Sequence, residues 1–176
     1  MTGTRDGAIE RGKNLVLGLA VDRGGGVVEQ EDRRLKQYGA GNGEPLAIMN
    51  DGHLQHMRVG GAAGIGTRLL AREDASVVGM LGSGGMARTF LEAYCAVRGI
   101  KKVKAFSRNP DNRKRYADEM SKRLNIDVTA VDSAREAARG VDILSTCTDS
   151  ITPTLFPEWL ETGMHVVNLG PHEISA

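Results

Sequence analysis

From residue 76 onward, short apolar runs alternate with stretches whose apolar positions recur at helical spacing. The runs at 76–81, 102–106, 127–131, 141–147 and 164–169 are short and separated by helical patterns. They read as the strands of a parallel sheet. Between them, the spacing predicts helices near 86–98, 111–124 and 134–139, with one helical turn at 156–160. This alternation predicts an α/β fold: a doubly wound, mainly parallel sheet with helices on both faces and right-handed crossovers. A ligand then binds at the carboxyl edge of the strands. The full doubly wound fold has six strands. The five read here predict a sheet with an unpaired edge, marginal stability and a tendency to self-associate.

Upstream the pattern is looser. Ten glycines fall within residues 1–43, beside a charged run at 29–36, and only 14–21 reads as a strand. A second apolar run at 45–50 leads into Asn50-Asp51-Gly52-His53, which has hairpin-turn chemistry. Small residues (Gly60, Gly61, Ala62, Ala63, Gly64, Gly66) then crowd a helical stretch from about Gln55 to Arg72. Such a helix lets another backbone or a ligand approach closely, at up to ~1 kcal/mol per interior glycine relative to alanine. These shifts place a partial domain with a connecting helix at 1–72 and a second, C-terminally truncated domain at 73–176.

The sharpest local signal is Val77–Arg88, an apolar strand followed at once by Gly82-Ser83-Gly84-Gly85-Met86-Ala87-Arg88 and then by a helix. Gly82, Gly84 and Ala87 occupy the three small-residue positions of G-x-G-x-x-G/A. The first permits the sharp turn, the second lets a pyrophosphate reach the backbone, and the third lets helix and strand pack closely. Free N–H groups at the helix start complete an anion site. Strand, turn and helix stand in the required order, so a dinucleotide cofactor is expected here.

Composition narrows the class. The chain has 176 residues and a net charge of +1, so charge gives no reason to expect a nucleic-acid or membrane partner. Apolar residues make up 40%, yet only three Phe, three Tyr and one Trp contribute, so the core is aliphatic. Cys95 and Cys147 lack metal-ligand spacing and read as buried thiols. His53, His56 and His165 show no ligand spacing either, so no metal is expected. The first apolar run, Leu15–Val21, is too short to cross a bilayer and has no cleavage-like flank, which suggests a cytoplasmic protein.

Four stretches together resemble the ornithine cyclodeaminase/μ-crystallin family of NAD(P)-dependent proteins. They are Met57-Arg58-Val59-Gly60-Gly61-Ala62-Ala63, the Gly82 turn with Arg88, Val141–Thr148, and Gly163–Gly170. The likeness covers roughly residues 44–172, and family members are longer at both ends. It implies a central segment containing most of a Rossmann domain, a dimeric assembly and a small amino, imino or keto acid as substrate. It also implies that Arg58 holds the substrate carboxylate, for which a guanidinium fork is suited. A family lysine expected upstream falls near Gly18-Leu19-Ala20, with Ala20 in its place and Lys13 the nearest alternative. Thr146, Cys147 and Thr148, around the end of the fourth strand, lie where the family contacts its cofactor, with Cys147 read as a packing residue.

The second strand ends Ser107-Arg108-Asn109, with no acid before Asp111. NAD-specific sites place Asp or Glu here for the ribose 2′-hydroxyl. A serine, an arginine and an asparagine instead suit a 2′-phosphate, so NADP(H) is expected, with NAD(H) as the alternative. In the family an aspartate follows the fifth-strand glycine by two residues; aligned on Gly170, this chain has His172 there and Glu173 next. A histidine can serve as general acid near neutral pH, which makes His172 and Glu173 the candidates for moving a proton. The expected reaction is hydride transfer at the α-carbon of a small imino, keto or amino acid. Cyclodeamination with loss of ammonia, or cofactor binding without catalysis, are the alternatives.

Overall fold

The computed structural model describes residues 52–170 and 172–175. The run at 45–50, the strand expected at 14–21, Lys13 and Ala20 lie outside the described residues. The chain divides into two units, Met1–Leu54 and Gln55–Ala176, and the first contributes only Gly52–Leu54 to what is described. Helix α1 spans Gly52–Leu70. Gly52 and His53 therefore form the first helical turn instead of a hairpin; the small-residue helix begins earlier than its composition suggested.

Five parallel strands follow: β1 Val77–Leu81, β2 Lys102–Phe106, β3 Asp127–Ala130, β4 Ile143–Thr146 and β5 His165–Asn168. Their order in the sheet is β3-β2-β1-β4-β5. Helices α2 (Gly85–Val97), α3 (Pro110–Leu124) and α4 (Ala134–Ala138) join the first four, and a single 3₁₀ turn, Pro157–Trp159, precedes β5. After β3 the chain crosses to the far side of β1. The strand order thus reverses between β1 and β4, the place where open α/β sheets leave a crevice.

Alternation along the strands divides the core. Val78, Met80, Val103, Ala105 and Ile143 face one side, where they pack with Ala87, Phe90, Leu91 and Tyr94 of α2 and Tyr116, Ala117 and Met120 of α3. Leu81 and Leu144 face the other, packing with Ala137, Ala138 and Leu155. Helices therefore cover both faces of the central strands β1 and β4, which are buried almost throughout, whereas β2 and β3 alternate buried with more exposed positions. Local chemistry sets the helix ends. The Asn109 side chain accepts from the backbone N–H groups of Asp111 and Asn112, Pro110 opens α3, and Asn125 ends it in the left-handed region at φ 54°. A cap of this kind is worth ~1 kcal/mol.

At the amino edge, Asp142 accepts from the N–H groups of Ser76 and Val77 and pairs with Arg72, tying the start of β1 to the start of β4. On β5, burial and the nearby Arg98 charge lower the proton affinity of His165, whose Nε2 has no hydrogen-bond partner among the described residues. The unfolded chain holds that proton up to about pH 6.5, and the folded chain releases it at lower pH. Stability present above that value is therefore lost as the pH falls through the folded-state pKa. Urea unfolding at pH 7.5 and 5.5 should show the lower stability at the acid value, and His165→Gln should flatten that difference.

Candidate functional site

Register brings the site together. Leu81 is opposite Phe106 on one side and Thr146 on the other, and Thr146 is opposite Asn168. Four strands thus end in one row, and the residues that leave them (Gly82, Ser107, Cys147 and Leu169) all line a cleft of about 750 Å³ at the carboxyl edge.

The glycine turn forms the floor. Gly82 has φ +120°, and a Cβ there would run into the carbonyl oxygen of Cys147, so only glycine fits. At Gly84 a Cβ would meet nothing within 4 Å. The backbone is bare on the cleft side, where a ligand phosphate has room to reach it and the first N–H groups of α2. Ala87 is fully buried beneath the turn. Ser83 lines the cleft and its hydroxyl donates to Ser107 Oγ at 2.9 Å, linking the ends of β1 and β2. Met86 also lines the cleft.

Two residues lie against this turn from outside, and the first of them holds it. Arg88 makes a two-pronged pair with Glu119 (2.8 and 2.5 Å) and donates to the carbonyls of Ser83 and Gly84, both at 2.9 Å. Its guanidinium also lies 5.5 Å from the ring centre of Tyr116. Although Arg88 borders the cleft, its donors are committed to shaping the turn. The hydrogen bond from Arg88 in turn keeps the Glu119 carboxyl below its usual range. The second residue is His56 of α1, whose ring lies where a Gly85 Cβ would stand and borders the cleft. Gly85 is thus small because of a neighbouring side chain, a requirement outside the three-position motif. The spacing of His56 along the chain carries no sign of this contact.

At the end of β2, Arg108 is exposed on the rim and forms no hydrogen bond or ion pair among the described residues. Asn109 spends its side-chain oxygen on capping α3. Arg113 is occupied as well: it donates to the Ser107 carbonyl and to Asp132, and stacks on Phe106 at 5.6 Å. Arg115 instead lines the cleft, holding Asn112 Oδ1 at 2.6 Å. The sequence gives no signal for it, because helical position alone does not separate a rim arginine from a solvated one.

Beyond β4, Cys147 is buried, its thiol pushed up to about 12 by burial, so it is a neutral packing group at the cleft wall. Thr146 is buried and Thr148 lines the cleft; both hydroxyls reach Glu173, whose carboxylate is wholly enclosed. His172 is exposed beside it. Arg58 is exposed and outside the cleft. His56, Gly60, Ala63, Gly64 and Thr67 recur at helical spacing, and all but the half-exposed His56 are buried. Gly60 and Gly64 approach Thr89 and Ala93 of α2. Arg58, two residues from both His56 and Gly60, points off that face.

The profile of the ornithine cyclodeaminase/mu-crystallin family matches residues 37–174. The chain belongs to this family. A Δ(1)-pyrroline-2-carboxylate reductase of Bacillus cereus is 34% identical over 128 residues, covering 73% of this chain and 39% of that protein. The Thermococcus litoralis Δ(1)-pyrroline-2-carboxylate reductase, solved with NADH and L-proline, superposes with a TM-score of 0.68 at 42% identity. That match covers 73% of this chain and 40% of the other. An archaeal alanine dehydrogenase dimer with bound NAD gives a TM-score of 0.63 at 34% identity, over 71% and 38% of the two chains. The chain thus spans about two fifths of the length of these relatives. Family membership and neighbouring structures agree with the Rossmann-like sheet seen here. No helix among the described residues is long and apolar enough to cross a membrane.

Gly82→Ala should destabilise the fold by at least ~1–3 kcal/mol, from backbone strain plus the clash with the Cys147 carbonyl. Urea unfolding of the variant beside the wild type measures this. Gly61→Ala, where a Cβ would meet nothing within 4 Å on a helix, should be neutral or slightly stabilising.

Proposed function

We propose that the chain is the cofactor-binding part of an NADP(H)-dependent oxidoreductase acting on a small imino, keto or amino acid. When bound, the nicotinamide would supply the hydride chemistry at the substrate's α-carbon. The observation that carries the cofactor choice is the charge of the rim beyond β2. Arg108 and Arg115 line it, whereas the one acidic residue lining the cleft among the described residues, Asp149, follows β4. Two guanidinium groups suit a 2′-phosphate, and no carboxylate is placed there to accept from a ribose hydroxyl or to repel that phosphate. The bare backbone at Gly84 leaves space for the pyrophosphate, which the first N–H groups of α2 would receive.

The remaining roles belong to the same proposal. Arg58 lies outside the cleft, with no hydrogen bond or ion pair among the described residues to occupy its donors, and it is the family resemblance that assigns it the substrate carboxylate. His172, exposed at the carboxyl end of the sheet, would pass a proton to or from the substrate nitrogen. Reduction of an imine or its reverse is favoured over ring-forming ammonia loss because the pyrroline-2-carboxylate reductase and the alanine dehydrogenase match at 42% and 34% identity, above the 28% of a lysine cyclodeaminase. A dimer acting in the cytoplasm fits the same reading.

Calorimetric titration should show tighter binding of NADPH than of NADH. Arg108→Ala should weaken NADPH by ~1.5–3 kcal/mol, the range of a charged hydrogen bond, with little effect on NADH. Equal affinities, or tighter NADH, would sink the NADP assignment. Gly84→Val should abolish binding of both cofactors with the helical circular-dichroism signal retained, because the new side chain fills the pyrophosphate's space. In an NADPH-oxidation assay with cyclic imino acids, or 2-keto acids plus ammonia, His172→Ala should lower kcat by about 10²–10⁴-fold, the usual contribution of a general acid. Its NADPH affinity should stay within about twofold of wild type.

A further inference from the structure

Glu173 is the buried acidic side chain of the described core, at 0% exposure, and the donors around it are unusually complete. Oε1 accepts from the Thr148 N–H at 2.6 Å and the Thr148 hydroxyl at 2.5 Å. Oε2 accepts from the Gly170 N–H at 2.6 Å, and from the Thr146 hydroxyl at 2.9 Å, which shares its proton with Asn168 Oδ1 at 2.7 Å. Its backbone carbonyl accepts from the N–H groups of Thr154 and Leu155 at 2.8 and 2.9 Å. One residue therefore fastens both ends of the loop that leaves β4, by its side chain at Thr148 and by its backbone at Thr154. That loop forms one wall of the cleft through Thr148, Asp149, Ser150 and Thr154. Gly170 makes room for the clasp: a Cβ there would come within 3.0 Å of Glu173 Cγ and 3.1 Å of Cδ.

We infer that Glu173 is a positioning residue, whose enclosed carboxylate holds the loop at 148–154 in the shape that receives the nicotinamide half of the dinucleotide. This rests on the cofactor reading above. The glycine turn and the Arg108 rim take the pyrophosphate and the adenosine end, so the other half crosses the crevice toward β4. Closed in by the donors of Thr146, Thr148 and Gly170 and wholly buried, the carboxylate has no path to a substrate proton. Each of its oxygens faces one backbone N–H, so glutamine is not a conservative replacement. Whichever way its amide turns, an NH₂ group meets an N–H donor.

The test uses the 176-residue chain without cofactor and then with it. In the wild type, hydrogen exchange should show the Thr148 amide protected although it lies outside the strands; rapid exchange there would overturn the proposal without any variant. In Glu173→Gln, exchange at Thr148 and Gly170 should accelerate at least about tenfold while Met80 and Ala105 keep their protection. Calorimetry should show NADPH affinity falling by about tenfold or more, and adenosine 2′,5′-bisphosphate, which lacks the nicotinamide half, staying within about twofold. Glu173→Asp, which keeps the charge but shortens the reach, should show the same pattern and serves if the glutamine variant does not fold. Unchanged Thr148 exchange, or unchanged NADPH affinity despite a loosened loop, overturns the clasp. Should the wild type prefer NADH, the NADP assignment fails on its own, and the same comparison made with NADH against ADP decides the clasp.

Discussion

Parallel pairing fixes where each strand stops relative to its neighbours, and most of the chemistry follows from that constraint. Because Leu81, Phe106, Thr146 and Asn168 share one row, the first residues beyond the strands emerge side by side. A slip of one residue in β2 would turn Val103 and Ala105 to the wrong face and carry Ser107 and Arg108 with them. The apolar core, aliphatic on the strands and with Phe90, Tyr94 and Tyr116 from the helices, thus selects the register, and the register assembles the cleft. At the opposite edge, Asp142 resists such a slip by holding the start of β1 against β4.

Charge at the cleft is divided between groups that build it and groups left to meet a ligand. Arg88 and Arg113 have their donors satisfied by backbone carbonyls and by Glu119 and Asp132 respectively. Removing either would leave carbonyls or a carboxylate short of a donor, so their effect on binding runs through the shape of the turns. Among the described residues Arg108 has no such partner, and Arg115 donates to an asparagine. An arginine ordered by neighbours costs little further entropy on binding but has few donors to offer; a free one has donors to offer and must lose its freedom. The rim beyond β2 combines the two kinds within a few residues.

Periodicity made the sheet legible because its strands are short and set between helical patterns: the run at 102–106 coincides with β2, and the others lose only one to three residues at their ends. The glycine turn was legible for a different reason. Gly82 answers to a backbone demand that leaves a direct mark on the sequence, the need for φ +120°. Gly85 and Gly170 were opaque. Their size answers to side chains, those of His56 and Glu173, which approach them through tertiary structure. Helix α1 misled at its start, since Asn-Asp-Gly favours a turn locally whereas Gly52 and His53 are helical. The positions of Arg58 and His56 depend on helical phase, which a run of small residues does not specify, because glycine and alanine fit either face.

The segment after β5 shows how burial of one residue directs its neighbour. Glu173 closes a tight turn, its N–H donating to the Gly170 carbonyl at 3.4 Å and its carboxylate accepting from the Gly170 N–H. With the chain pinned at Gly170 and Glu173, His172 has little choice of direction. Its side chain is exposed while that of Glu173 is enclosed. Two adjacent titratable groups thus receive opposite environments: one carboxylate withdrawn from solvent into a set of donors, one imidazole presented at the carboxyl end of the sheet. If the imidazole carries the proton in the reaction, the carboxylate provides the geometry in which it does so. The division is built from a glycine that makes room, two threonines that supply hydroxyl donors, and a strand register that brings them together.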